Sequence, residues 1–253
     1  MSKNSPLLSV ITVVYNDEKN IERTIKSVVN QTYPYVEYIV IDGASKDGTI
    51  NIVNKYRDQI TKIVSEPDKG IYDAMNKAMK IATGDYLLFM NSGDEIYRSD
   101  TVEKLFSLSP DADIYYGETE MINDNLESLG RRRHQAPENF SWKSFKYGMS
   151  ICHQAIYVKR TLAEPYNNKS YQLSADIDWI LNIAKKSRKI INGHSYVAKY
   201  LVGGMSKKKH WQSLKERYLI LKKYYGFIPN LFNHIIIAFN LAFYWLKNKR
   251  TND

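Results

Sequence analysis

Between Leu7 and Met90 short apolar runs alternate with stretches whose apolar residues recur at helical spacing, and this alternation limits the fold more than any other feature of the chain. Leu7 to Val14 is rich in β-branched residues and ends in Tyr15-Asn16-Asp17, which reads as a buried strand followed by a turn. Ile21, Ile25, Val28 and Val29 then mark a helix. Val36 to Ile41 is the second strand, broken by the Gly-, Ser- and Asp-rich stretch Asp42 to Thr49, and a helix with Ile52, Val53 and Tyr56 on its inner side follows. Ile60 to Val64, a helix over Ile71 to Ile81, and the apolar run Tyr86 to Met90 complete a β-α-β-α-β-α-β order. Apolar runs of this length suit strands buried on both faces. The order therefore predicts an α/β fold with a mostly parallel, Rossmann-like central sheet flanked by helices.

Past Ser99 the pattern loosens. It reads as a short helix over Thr101 to Leu108, a strand over Asp113 to Tyr116, a hairpin of Glu118 to Ile122 with Leu126 to Arg132 turning at Asn123-Asp124-Asn125, a strand over Ser150 to Val158 and a helix over Asp176 to Lys186. No linker precedes Ser206, and Lys207-Lys208-Lys209-His210 marks a composition shift. The chain thus divides into a domain over 1–206 and a basic, aromatic-rich helical tail over 207–253. In the tail Trp211, Leu214, Tyr218, Leu221 and Tyr225 recur in steps of three and four, the stripe of an amphipathic helix. Phe227 to Leu246 is free of formal charge over twenty residues, a membrane-spanning length, yet Asn230, Asn233, His234 and Asn240 give it a polar stripe. With Lys222, Lys223, Lys247, Lys249 and Arg250 flanking it, the segment is expected to lie in a membrane interface; packing on the protein's own core is the alternative.

The net charge of +9 points to an anionic partner without choosing one. Lys and Tyr without a nucleic-acid motif give no case for a nucleic-acid partner. Cys152 is the single cysteine, so neither a disulfide nor a Cys-based zinc site can form. The amino terminus does not read as a secretory signal, and a cytoplasmic setting is expected.

In a parallel sheet the carboxyl ends of strands lie along one edge, where open α/β sheets bind ligands. Here that edge would carry Thr12 to Asn16, Asp42 and Asp94. No G-x-G-x-x-G and no lysine-bearing phosphate loop follows a strand, so a nucleotide would need another charge-neutralising device, the simplest being a divalent cation held by carboxylates.

A series of motifs in order resembles the family 2 glycosyltransferases of the GT-A fold, particularly the bacterial branch that assembles O-antigen and capsular polysaccharide. The motifs are Ser9 to Asn16, Ser27 to Pro34, Tyr38 to Ser45 with Asp47-Gly48-Thr49, Ser65 to Asn76, Ala82 to Asp85, Asn91 to Asp94, Gly148 to Gln154 and Ala175 to Asp178. The resemblance covers about residues 7–206 and leaves the tail outside. It implies that Thr12 and Asp42 hold the uracil and ribose of a UDP-sugar, with Asn16 nearby, and that Lys69 neutralises phosphate. Asp94 matches the last acid of the family's metal motif and would contact Mg²⁺ or Mn²⁺. Asp176 matches the general base of inverting members, and Asp178 is the weaker candidate.

The sequence departs from the family pattern in three places. Asn91 and Gly93 stand where acids are usual, with Asn91 kept as a nucleotide-sugar contact; Val202 to Ser206 lacks the histidine many relatives carry; and Ala175 stands where an acid commonly precedes the base. His153 lies where a sugar would sit, a structurally satisfied histidine being the alternative. Arg131 and Arg132, in the run Arg131 to His134, suit the pyrophosphate of a lipid-linked acceptor, with a solvated charged face as the alternative. The resemblance implies an inverting hexosyltransferase, peripheral on the inner face of the plasma membrane, using a polyprenyl-diphosphate-linked saccharide acceptor. Transfer directly to a polyprenyl phosphate and a non-catalytic nucleotide-sugar-binding module are the alternatives.

Overall fold

The computed structural model describes residues 5–203 and 209–249, and leaves aside the side chains of His210 and of residues 240–249. The division expected between Ser206 and Lys207, residues 204–206 of the segment read as lacking a histidine, and Arg250 lie outside the described residues, as do the side chains of Asn240, Lys247 and Lys249.

The amino-terminal half is β1 (Leu8–Val14), α1 (Ile21–Val29), β2 (Val36–Asp42), α2 (Thr49–Lys55), β3 (Lys62–Ser65), α3 (Ile71–Ile81) and β4 (Tyr86–Phe89). Every residue of β1 and β4 is buried, as unbroken apolar runs require when helices cover both faces of a sheet. After β5 (Glu95–Ile96) and α4 (Thr101–Ser107) come β6 (Ile114–Ile122), β7 (Ser128–Arg131), β8 (Ile156–Lys159), α5 (Ala175–Lys186) and β9 (Ile190–Leu201). The strands run β3-β2-β1-β4-β8-β6-β9-β5, with β7 beside β6. The β3-β2-β1-β4 half is wholly parallel, β6 and β9 are parallel, and β8 is antiparallel to both neighbours. Val14 pairs with Asp42 and Asp42 with Ser65, so the carboxyl ends of these strands emerge together.

Three expectations are corrected. Asp113 to Tyr116 and Glu118 to Ile122 are one strand, β6, carried across Gly117 by a register shift against β9, where a Cβ at Gly117 would stand 2.6 Å from the Ser195 carbonyl oxygen. Ser150 to Val158 is not strand throughout: His153–Ala155 is a 3-10 turn, and only Ile156–Lys159 pairs. β9 has no counterpart in the sequence reading, because Asn192 to Ser195, with His194 at φ 48°, resembles a turn.

Beyond β9, α6 (His210–Tyr225) packs on α5 and α7 (Phe227–Lys249) turns back on α6. The stripe expected to bury α6 is only partly its packed face. Ser213, Glu216, Ile220 and Leu221 are buried, whereas Leu214 is exposed and Trp211 is 83% exposed. On α7 Asn230 and His234 face inward: Asn230 donates to the Tyr218 carbonyl at 3.2 Å, and the His234 ring meets Tyr218 edge-on. Its apolar residues Ile228, Leu231, Phe232, Ile235 and Phe239 are exposed. Among the described residues no helix is long and apolar enough to cross a membrane.

Candidate active site

The loops after β1, β2 and β4 are stitched into one rim. After β1 the chain turns through Asn16 at φ 49°, whose backbone N–H donates to Ser45 Oγ at 2.8 Å and whose side-chain oxygen accepts from the Lys46 N–H at 2.8 Å. Next to it Asp17 accepts from Ser92 Oγ at 2.7 Å, tying the β1 loop to the β4 loop. Arg23 of α1 donates to the Gly93 carbonyl, and the Thr24 hydroxyl to that of Asp94.

At one end of the rim lies Asp42. Its carboxylate accepts the Ser45 N–H at 3.1 Å and Ser65 Oγ at 2.6 Å, and it is fully buried. Gly43 follows, and a Cβ there would stand 2.5 Å from an Asp68 carboxylate oxygen and 3.2 Å from the Tyr15 ring. Tyr15, Gly43 and Asp68 are therefore packed close together beside Asp42, and Tyr15 is 59% exposed. Lys69 is exposed in the adjoining loop, where its N–H donates to Asp73. Thr12, like Asp42, has no exposed surface, and its hydroxyl meets Tyr38 OH at 3.0 Å.

The second cluster lies under the β4 and β9 ends. Asp94 is buried, its carboxylate accepting from Gln154 Nε2 at 2.6 Å and from the Leu201 N–H at 3.0 Å. Burial pushes its pKa up to about 6 against those two hydrogen bonds and the charges of His153 and Arg23. Asn91 Nδ2 meets His153 Nε2 at 3.0 Å, while Asn91 Oδ1 is buried without a hydrogen-bond partner. His153 Nδ1 in turn stands 3.4 Å from the Asp176 carboxylate. Asp176, in the first turn of α5, also accepts from Tyr72 OH of α3 at 3.0 Å. Its side chain remains 16% exposed. Burial opposes its charge, but the hydrogen bond and charge of His153 and the Tyr72 hydroxyl outweigh it and hold the carboxyl below its ordinary range. Under this cluster Tyr72 stacks on Tyr166, and Tyr166 on Trp179, at centroid distances of 5.3 and 4.8 Å. Asp178 points away and pairs with Lys223 at 2.8 Å.

Arg131, the last residue of β7, and Arg132 beyond it have different surroundings. Arg131 is exposed and lies over the Tyr196 ring. Arg132 buries one guanidinium nitrogen without a partner, and its charge acts on Cys152 and Tyr200 beside Asp94. Arg217 of α6, absent from the sequence reading, adds a charge that acts on Asp176. Tyr200 and Arg217 carried no local signal; Tyr72 stood in the quoted Ser65 to Asn76 run and Gln154 in the Gly148 to Gln154 run.

The described residues hold no group of three or more His, Cys, Asp or Glu side chains that could bind a metal. The Asn91 and Asp94 turn nevertheless suits one hard divalent cation. It offers a buried amide oxygen without a partner and a buried carboxylate with spare lone pairs, and such an ion would complete its sphere with diphosphate oxygens and water.

A mixed sheet with acids gathered at the carboxyl edge of its parallel half, and no glycine-rich phosphate loop, has the architecture of the GT-A class. The Glycosyl transferase family 2 model matches residues 9–164. A PGL/p-HBAD biosynthesis glycosyltransferase of Mycobacterium tuberculosis is 30% identical over 71% of this chain and 69% of its own. The TuaG protein of Bacillus subtilis, a putative teichuronic acid biosynthesis glycosyltransferase, is 27% identical over 88% of this chain and 90% of its own. Among solved structures, S. aureus TarS 1–349 with UDP-GlcNAc superposes with a TM-score of 0.65 at 19% identity, over 85% of this chain and 66% of that one. The mannosyltransferase PcManGT of Pyrobaculum calidifontis with GDP-Man and Mn²⁺ gives 0.61 at 18% identity, over 95% of this chain and 75% of that one. The chain belongs to glycosyltransferase family 2.

Proposed function

We propose that this enzyme is an inverting transferase that moves a hexosyl or N-acetylhexosaminyl group from a UDP-sugar to a polyprenyl-diphosphate-linked saccharide, in the assembly of a surface polysaccharide of the O-antigen, capsule or exopolysaccharide kind. The observation that carries the reading is Asp176, an ionised carboxylate held by Tyr72 and His153 and still partly exposed. An acceptor hydroxyl is a weak nucleophile, and Asp176 takes its proton as the oxygen bonds to the anomeric carbon and the carbon–phosphate oxygen bond breaks. Attack from the face opposite the departing UDP inverts the anomeric centre.

The uridine binds beside Asp42, where Tyr15, Gly43 and Asp68 come together, and Lys69 of the adjoining loop meets its phosphates. Asp94 and Asn91 would hold Mg²⁺ or Mn²⁺, which would supply positive charge at the diphosphate. Arg132 and Arg217 meet the acceptor's pyrophosphate. The exposed apolar face of α7 seats the protein on the cytoplasmic side of the plasma membrane, where such an acceptor lies. Support for donor and polymer comes from the UDP-GlcNAc complex of TarS and from the teichuronic acid assignment of TuaG.

Asn91, in place of an acid, is the observation that favours a non-catalytic binding module. A panel of UDP-hexoses, UDP-N-acetylhexosamines and GDP-mannose, each with and without Mn²⁺, separates the readings. Thermal stabilisation and sugar release with one UDP-sugar, both dependent on Mn²⁺ and both abolished in Asp94→Ala, are expected. Stabilisation without sugar release would favour the module, and no response to any UDP-sugar would overturn the donor assignment.

A further inference from the structure

Glu216 lies on α6, in the tail that the family resemblance leaves out, and is buried. Its carboxylate accepts three successive backbone N–H groups, from Gln172 at 3.1 Å, Leu173 at 2.8 Å and Ser174 at 3.0 Å, and the Gln212 side-chain amide at 3.1 Å. Those three residues lead directly into α5, and Asp176 stands two positions beyond Ser174. Ser174 occupies the N-cap position, where a serine hydroxyl ordinarily bonds the first N–H groups of its own helix. Here that hydroxyl turns outward to Ser213 of α6, at 3.2 Å, and makes no side-chain cap bond. The entry to α5 is therefore held from α6. One turn along, Lys223 pairs with Asp178 and Tyr224 OH donates to the Asp178 carbonyl, which fixes the same helix end from a second point.

We infer that Glu216 is a positioning residue for transfer: through the amides of residues 172–174 it sets where the Asp176 carboxylate stands relative to the acceptor hydroxyl. The inference rests on the reading of Asp176 as the base. A displacement of about 1 Å at a reacting group can cost about a hundredfold in rate, so the coupling acts on turnover rather than on donor binding. Asp42 and the residues around it, Tyr15, Ser45, Ser65 and Asp68, are not among the hydrogen-bond partners of Glu216. Only a carboxylate serves here. A glutamine would offer one oxygen and turn its own N–H₂ group toward amides that are themselves donors.

The test is a double-mutant cycle of Glu216→Gln with Asp176→Asn in the full chain, reading kcat, donor KM and UDP affinity by calorimetry. Glu216→Gln alone is expected to lower kcat by about 10- to 100-fold with donor KM and UDP affinity changed less than about twofold. In the Asp176→Asn background the same change is expected to cost less than about threefold, because its effect passes through the group already removed. An equal loss in both backgrounds, or a parallel loss of UDP affinity, would overturn the proposal. Amide exchange of the unmodified protein covers the case in which the variant does not fold. The N–H groups of Gln172, Leu173 and Ser174 are expected to exchange as slowly as those within α5, and exchange at the rate of exposed loops would overturn it. If Asp176→Asn itself kept near wild-type turnover, the base assignment would fall, a result distinct from either outcome for Glu216.

Discussion

Replacing Glu37 by glutamine should cost stability and leave catalysis alone, because Glu37 pins the end of the sheet opposite the site. Its carboxylate accepts Ser9 Oγ at 2.6 Å, the Thr83 N–H at 2.8 Å, Thr83 Oγ1 at 2.9 Å and Lys62 Nζ at 3.2 Å, which joins β1, β2, β3 and the start of β4. Burial alone would raise its pKa, but the hydrogen bonds from Ser9, Thr83 and Lys62 outweigh it and bring the value from 4.5 to about 2. At about 1.4 kcal/mol per pKa unit the ionised form gains about 3 kcal/mol, and screening of the partly exposed Lys62 arm reduces this to about 2 kcal/mol. The folded value lies below the unfolded one. The stabilisation is therefore complete above pH 4.5 and lost as the pH falls from there toward about 2. Urea unfolding of wild type and Glu37→Gln at neutral pH should differ by about 2 kcal/mol, and the gap should close through that acid window. A gap below about 0.5 kcal/mol, a gap that persists into acid, or a loss of kcat in folded Glu37→Gln would refute the reasoning.

Thr12→Val should lower stability by about 1–3 kcal/mol, since the Tyr38 hydroxyl loses its buried partner, while UDP affinity measured by calorimetry stays within twofold. Removal of residues 227–253 should abolish sedimentation with anionic phospholipid vesicles and spare UDP binding, because α7 exposes its apolar face and α6 remains docked on α5.

The parallel half of the fold is readable from local pattern because each buried strand and its covering helix carry their own periodicity, as Tyr86 to Phe89 and Ile71 to Ile81 do. β9 is not readable, because its extended run contains the turn-like residues Asn192 to Ser195, and only pairing with distant β6 makes it a strand. The same division holds at the site. Asp42, Asp94 and Asp176 stand in motifs, and two of them fall in one cluster through His153 and Gln154. Arg217 and Glu216 reach Asp176 or its helix across long stretches of chain, and nothing in their neighbouring residues announces it; Tyr72 stands in the Ser65 to Asn76 motif, but only the fold brings it to Asp176. Thr12 shows the converse: its place in a motif suggests a ligand contact, but strand alternation turns it into the sheet.

Transfer by Asp176→Asn, measured with the donor found in the nucleotide-sugar panel and a membrane-reconstituted acceptor, tests the central claim most directly. The asparagine keeps the side chain's shape and removes its capacity to take a proton. Turnover should fall by about 10²–10⁴-fold while UDP affinity is retained. Near wild-type transfer by this variant would contradict the account.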